Sequence, residues 1–369
     1  MKVGYDIRPA LFNKAGLGRY TRELSVQLTQ MQDGPFLELF APAWRGGRIL
    51  SREMAPGRFR MHRGFLPARA MHQLNRLPGL DAGRFPAPVD VFHCTDYVYP
   101  KVRSAAMVMT LHDAAFAVNP AFHGWNSSVL LDRVRRAIHD ADAVIVVSEP
   151  GRADAELLGV YPEKVFVVPN GVSPAFKPAE ELPAEHGYLL TVGTLEPRKN
   201  YPRILAALEP LWDADMAPDW WILGREGWEH QAFLTQLEAS RHRHRIHWLK
   251  DLEDQQLVQI YQGALALVYP SLHEGFGLPV LEAMACRIPV VVGADTAPAW
   301  VAGKGGRRVD PHSVDSIREG IERIISEDWW RKQAAAVLEL RSREFSWERA
   351  AADTLAVYKH AIKRFQERA

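Results

Sequence analysis

The stretch LALVYPSLHEGFGLPVLEAMAC (265–286) holds a whole strand–turn–helix unit. LALVYP is an unbroken apolar run, the mark of a strand covered on both faces of a parallel sheet. SLHEGFGL is then the loop at its carboxyl end. Pro279 fits the first helical position, where its missing N–H costs nothing, and the helix continues as PVLEAMAC. In open α/β sheets ligands bind beyond the carboxyl ends of strands, where helix N-termini point. Gly275 and Gly277 let backbone N–H groups approach a phosphate, and the helix dipole favours its negative charge. Two glutamates bracket this turn, Glu274 in the loop and Glu282 in the first turn of the helix. The plainer reading makes Glu282 a helix cap and Glu274 a surface residue. The sharper one uses each carboxylate to accept two hydroxyl hydrogen bonds from a vicinal diol. Two diols flanking a diphosphate describe a nucleotide sugar.

Outward from this unit the same alternation fills the chain. KVGYDI (2–7), FLELFA (36–41), DVFHCT (90–95), AMVMTL (106–111), AVIVVS (143–148) and VFVVPN (165–170) read as buried strands with helical segments between. FKPAEELPAEHG (176–187) has no periodicity and reads as a linker. The pattern then restarts with YLLTVG (188–193), DWWILG (219–224), RIHWLK (245–250), LALVYP and PVVVGA (289–294), and helices are expected at 201–212, 230–240, 254–264 and 279–286. The fold class is therefore α/β with two Rossmann-like, doubly wound domains. Residues 1–175 form the first, 176–187 the linker, 188–345 the second, and 346–369 a terminal helix.

The composition excludes several classes. Of 369 residues, 47% are hydrophobic and 24% charged, and the formal net charge is +1, so no nucleic-acid partner is expected. Cys94 and Cys286 lie in apolar stretches and read as buried free thiols. Asp6 and Arg8 interrupt the N-terminus before a signal peptide could form, and no apolar run reaches membrane-spanning length. The expectation is a cytoplasmic protein. One segment, 44–85, carries nine arginines against Glu53 and Asp81, with apolar residues interleaved. It reads either as a solvated, loop-rich insertion or as a surface for peripheral contact with anionic lipid at the inner face of a membrane.

HEGFGLPVLEAMA resembles the E-x7-E signature of the retaining glycosyltransferases of family 4 (group 1), which have the GT-B fold. The likeness extends to NKAGLGRYTREL (13–24), TLHDAAF (110–116), VSEPGRADAELLGVYPEKVFVVPNGV (147–172), VGTLEPRKN (192–200), LGREGW (223–228) and FSWERAA (345–351). These blocks, in this order, look most like the mannosyltransferase-like branch that builds bacterial surface polysaccharides. The resemblance implies two domains facing across a cleft, with the C-terminal helix crossing back to the first. It implies transfer of a hexose from a nucleotide diphosphate sugar, best matched by GDP-mannose, to a glycan or lipid-linked glycan. It implies no cofactor and no metal.

The resemblance also assigns residues. Glu274, His112, Lys199 and Arg198 are the catalytic candidates. Gly16, Gly18, Gly193, Thr194, Gly275, Phe276, Gly277, Leu278 and Glu282 join Lys199, Arg198 and Glu274 around the donor. Arg19, Tyr20 and Asp113 lie on the acceptor side. Physically, Arg198 and Lys199 precede a helix at the same sheet edge as Glu274, where cations can neutralise a departing diphosphate. His112 ends the strand AMVMTL. Relatives often carry an arginine at Thr194, so either Arg198 or Arg225 substitutes or the diphosphate is held less strongly.

Of five alternatives, a UDP-sugar donor and a non-catalytic sensor stay open and three are set aside on residues. A UDP-sugar donor keeps the mechanism and changes the base. A sugar-nucleotide 2-epimerase lacks the E-x7-E frame, and GLGRYT is not the dinucleotide fingerprint of an oxidoreductase. A metal-dependent transferase needs an Asp-x-Asp pair after a strand. Asp140-Ala141-Asp142 precedes one and Asp213-Ala214-Asp215 follows a helix, so both read as solvated turns. A non-catalytic sugar-nucleotide sensor has the missing arginine at Thr194 as its argument. The HRHRIH run (242–247) reads as a surface turn, since alternating arginines make a poor ligand cage.

Overall fold

The computed structural model describes residues 1–368 apart from 13–15, 42–52, 64–80, 85–86, 98–99, 123–126 and 182–185. The chain forms two compact units. The first comprises Met1–Ala117, Asn126–Gly171 and Ser346–Ala369, and the second Val172–Phe345 with Val118–Trp125.

In the first unit, β1 (Lys2–Asp6), β2 (Phe36–Ala41), β3 (Phe59–Arg63), β4 (Val91–Cys94), β5 (Ala106–Leu111), β6 (Ala143–Val146) and β7 (Val165–Val167) make one sheet. Its order is β3-β2-β1-β4-β5-β6-β7 and every pairing is parallel. Chain order reverses between β1 and β4, the switch point where such sheets place ligands. β4, β5 and β6 are buried along their whole length, as their apolar runs require. The helix Trp347–Arg368 packs on the helix Gly16–Gln30 and on β4, β5 and β6. Its buried residues Ala351, Thr354, Leu355, Tyr358 and Ala361 recur every three or four positions, one apolar stripe.

In the second unit, β8 (Tyr188–Val192), β9 (Trp220–Leu223), β10 (Ile246–Leu249), β11 (Ala264–Tyr269), β12 (Val290–Gly293) and β13 (Arg307–Val309) form a parallel sheet ordered β10-β9-β8-β11-β12-β13. The reversal lies between β8 and β11. Its core gathers Ile204, Leu208, Leu211, Ile222, Val268, Val291, Ile317 and Ile321 around Trp220, whose indole N–H donates to Thr191 Oγ1 at 2.9 Å. Each fully buried aliphatic side chain there contributes roughly 1.5–3 kcal/mol. Among the described residues, no helix is long and apolar enough to cross a membrane.

The structure departs from the sequence reading in four places. β3 lies inside the segment read as a loop-rich insertion. Its basic residues Arg60, His62 and Arg63 are those of an edge strand, and His62 binds Glu38 of β2 at 2.6 Å. Of that insertion only 53–63 and 81–84 are described, so the expected membrane surface lies outside the described residues. β13 and the helices Val314–Ser326 and Asp328–Ser342 had no place in the expected list, because Arg307 and Arg308 hide a three-residue strand. The boundary between the units falls at Gly171/Val172, and Phe176 of the expected linker is buried against Tyr261 of the second unit. Finally, Asp142 is no solvated turn. It is 1% exposed, accepts the Met107 N–H at 2.9 Å and pairs with Arg368 on the terminal helix at 3.2 Å.

Candidate active site

The second unit concentrates charge at the carboxyl edge of its sheet. β8 ends at Val192, and a tight 3-10 turn at Pro197–Lys199 leads into the helix Tyr201–Asp213. Asn200 adopts a left-handed conformation (φ 67°) to close this turn. Its side-chain N–H groups donate to the Pro270 and Pro311 carbonyls at 3.0 and 2.6 Å, which ties the turn to the end of β11. The Leu272 N–H donates to the Arg198 carbonyl at 2.8 Å, a second tie.

These ties bring Lys199, Arg198, Glu274 and Tyr269 together. The Lys199 ammonium donates to Glu274 Oε1 and to the Tyr269 hydroxyl, both at 2.5 Å, and stands 4.9 Å from the Tyr269 ring centre. The Tyr269 hydroxyl in turn donates to Glu274 Oε1 at 3.1 Å. Arg198 Nη1 reaches Glu274 Oε2 at 2.8 Å, and its Nε reaches Glu196 Oε2 at 3.0 Å. Burial alone would raise the Glu274 carboxyl, but Arg198 and Lys199 outweigh it and hold it at about 2. Burial pulls Lys199 below its ordinary value, and Glu274 offsets part of that. Gly193 (φ 153°) must be glycine for Lys199 to pass, because a Cβ there would lie 3.0 Å from Lys199 Cε.

The loop beyond β11 completes this edge. Gly277 caps the helix Leu278–Ala285 with φ 104°, and a Cβ would meet Pro298 Cγ at 3.0 Å. Phe276 packs edge-on against Phe345 at 5.8 Å and against Trp300 at 6.4 Å. Gly275 is buried and Leu278 and Thr194 are partly exposed. Of the two arginines expected to replace the one absent at Thr194, Arg198 joins the cluster. Arg225 instead pairs with Asp251 at the surface.

The first unit has a different carboxyl edge: a buried ion pair, Arg8 with Asp6 at the end of β1, stands beside a neutral, aromatic network. The helix Gly16–Gln30 starts at Gly16, Gly18 is buried, and Arg19 is partly exposed. The Tyr20 hydroxyl shares a hydrogen bond with Thr110 Oγ1 at 2.8 Å, and its ring meets the His112 ring edge-to-face at 4.7 Å. Thr110 also bonds His93 Nε2 at 2.7 Å, and His93 Nδ1 bonds the Tyr358 hydroxyl at 2.7 Å. His112 Nε2 lies 3.0 Å from the Thr95 carbonyl, an acceptor, so Nε2 carries the proton and Nδ1 the lone pair. Burial lowers His93 to about 3 and His112 to about 4, so both are neutral at pH 7. Asp113 Oδ1 accepts the Ala115 N–H at 3.1 Å, starting the next helical turn.

Residues 15–176 match the model of Glycosyltransferase Family 4 and residues 172–339 that of Glycosyl transferases group 1. The chain is a GT-B glycosyltransferase of family 4. It is 29% identical over 384 residues to O-antigen chain mannosyltransferase B of Escherichia coli, an alignment that covers 97% of this chain and all of that one. In fold it is similar to sucrose-phosphate synthase from Thermosynechococcus elongatus, with a TM-score of 0.79 at 18% identity, covering 97% and 98% of the two chains. It is also similar to HepE of Anabaena, solved with UDP and glucose, with a TM-score of 0.72 at 16% identity over 96% and 99%.

In this glycosyltransferase the two glutamates of E-x7-E differ from their expected settings. Pro279 is the second residue of its helix, not the first, which places Glu282 in the second turn. Glu282 is 3% exposed and its Oε2 accepts the Tyr261 hydroxyl at 2.7 Å. Glu274 is not an open diol clamp here, since both its oxygens are held by cations. Tyr269, His93, Thr110 and Tyr358 gave no signal in the sequence. Each sits inside an apolar strand or helix stripe and looks like core until its hydroxyl or ring nitrogen is seen to be paired. Asp213 and Asp215 do lie at the surface, where they pair with Arg241 and with His242 and Arg245 of the HRHRIH turn. Among the described residues no group of three His, Cys, Asp or Glu side chains could hold a metal.

Proposed function

We propose that this glycosyltransferase moves a hexose, best matched by mannose from GDP-mannose, onto a hydroxyl of a growing, lipid-linked bacterial surface polysaccharide. The transfer retains the anomeric configuration and needs no metal. The observation that carries the donor half is the pairing of Arg198 and Lys199 at the carboxyl edge of the second sheet. They are two adjacent, largely buried cations held in a fixed turn. Such a pair stabilises the charge that develops on a departing diphosphate without reorganising. Support for mannose and for a polysaccharide acceptor comes from the full-length similarity to the O-antigen chain mannosyltransferase.

In this reading Lys199, Arg198 and the loop Gly275–Gly277 hold the phosphates, Glu274 takes sugar hydroxyls, and Glu282 serves the ribose end. The departing diphosphate takes the proton of the attacking hydroxyl on the same face of the sugar. No acid–nucleophile pair of carboxylates is required, unlike in a glycosidase. Neutral His112, with its Nδ1 lone pair, accepts a hydrogen bond from a sugar hydroxyl, while Arg19, Tyr20 and Asp113 face the acceptor. A UDP-sugar donor is the second reading, favoured by the HepE structure that holds UDP and glucose.

The test is transfer of labelled hexose from GDP-mannose and from UDP-glucose to a lipid-linked acceptor, with and without EDTA. Transfer from GDP-mannose with an unchanged rate in EDTA is the expected result. Transfer from UDP-glucose alone would replace the donor, and loss in EDTA with recovery in Mn²⁺ would overturn the metal-independent mechanism.

A further inference from the structure

The free protein assigns the Arg198–Lys199 pair a carboxylate partner where the donor reading needs phosphates. Glu274 Oε1 binds Lys199 and Tyr269, and Oε2 binds Arg198. A phosphate oxygen reaching these cations competes for the same donors, and the two anions repel each other. Yet Glu196 balances only one of these two charges, through Arg198 Nε, and a buried cation left without an anion is strongly unfavourable. Glu274 sits in the loop between β11 and the helix Leu278–Ala285, next to Gly275, which lacks a Cβ.

We propose that Glu274 holds the place of the donor's diphosphate in the free enzyme. When the donor binds, the carboxylate gives up Arg198 and Lys199 to the phosphates and turns to the sugar. After transfer it returns to the cations and displaces the nucleoside diphosphate. Glu274 thus acts twice, once on the sugar and once in product release. Tyr269 keeps Lys199 in place during the exchange, since its hydroxyl and ring hold the ammonium independently of Glu274. This proposal rests on the donor-phosphate reading above.

The experiment titrates GDP, UDP and inorganic pyrophosphate, without metal, into wild-type protein, Glu274→Gln and Glu274→Asp. The glutamine keeps the volume and removes the charge. The aspartate keeps the charge but withdraws it by one methylene, and it decides the matter if the glutamine variant does not fold. Both variants should bind the preferred nucleoside diphosphate more tightly than wild type, Glu274→Gln by about tenfold, the scale of one charge-assisted contact. Pyrophosphate should show the same order, because the competition concerns phosphate alone, while hexose transfer falls. Equal or weaker binding by both variants overturns the exchange and leaves the donor site standing. Wild-type protein that binds neither GDP nor UDP removes the donor site itself, and the exchange with it.

Discussion

The two sheets share one topology, with chain order reversing at β1/β4 in the first and at β8/β11 in the second, but differ at their carboxyl edges, where the first adds to its Arg8–Asp6 pair a neutral network that the second lacks. The second gathers Arg198, Lys199, Glu274 and Glu196 into ion pairs. The first gathers Tyr20, His93, Thr110, His112 and Tyr358 into a chain of neutral hydrogen bonds. A doubly wound sheet fixes where a ligand meets the protein, while the residues at the strand ends decide what kind of ligand that is. Charged donors suit a diphosphate. Neutral imidazoles and hydroxyls suit the uncharged hydroxyls of a sugar, and fixed hydrogen bonds hold them in place at little electrostatic cost.

The largest effect should follow from breaking the charged edge. Lys199→Met should lower the turnover of hexose transfer by about 10²–10³-fold, the usual loss on removing one preorganised charge-stabilising donor. Its folded state should survive, because Arg198 still pairs with Glu274. A smaller effect should come from Gly193→Ala, whose Cβ would press on Lys199 Cε. It should cost about 1–3 kcal/mol of stability in thermal unfolding, as an unfavourable φ for a non-glycine residue does, and lower turnover by displacing the ammonium.

The edges should also part company as pH falls. His93 and His112 drop from 6.5 to about 3 and about 4 in the folded state. Their neutral forms therefore contribute stability that is complete above pH 6.5 and fades as pH falls towards 4 and below, where the unfolded chain binds more protons. Glu274 drops from 4.5 to about 2, so its contribution is complete above pH 4.5 and fades only below that. Hydrogen exchange at a series of pH values should show β4 and β5 losing protection at higher pH than β8 and β11. The reverse order would contradict these assignments. The smallest effect is expected for Tyr358→Phe, which removes one partner of His93. It should cost about 1 kcal/mol in denaturant unfolding and leave affinity for the nucleoside diphosphate unchanged.

The sequence made the charged edge largely legible because its parts are local. Glu274, Gly275, Gly277 and Pro279 fall within six positions, and Arg198 and Lys199 sit side by side after a clear strand. What it hid was long-range. Tyr269 looks like the last apolar residue of LALVYP, and only the approach of Lys199, seventy residues earlier, reveals its hydroxyl. His93 is flanked by Phe92 and Cys94 in a buried strand, and its partner Tyr358 is 265 residues away. Spacing alone could not show that Tyr261 donates to Glu282 from the neighbouring helix. The strand Phe59–Arg63 escaped notice because three basic residues in five read as solvated loop unless the edge of a sheet is already known.

The role of the charged edge is tested most directly by calorimetric titration of GDP and UDP into wild-type protein and Lys199→Met, without metal. One-site binding of the preferred nucleotide to wild type is expected, with GDP first, and about a hundredfold weaker binding to Lys199→Met, since one partner of a charge-assisted contact is lost. Equal affinity in the two proteins would contradict that role, because the charged edge of the second sheet would then not hold the diphosphate.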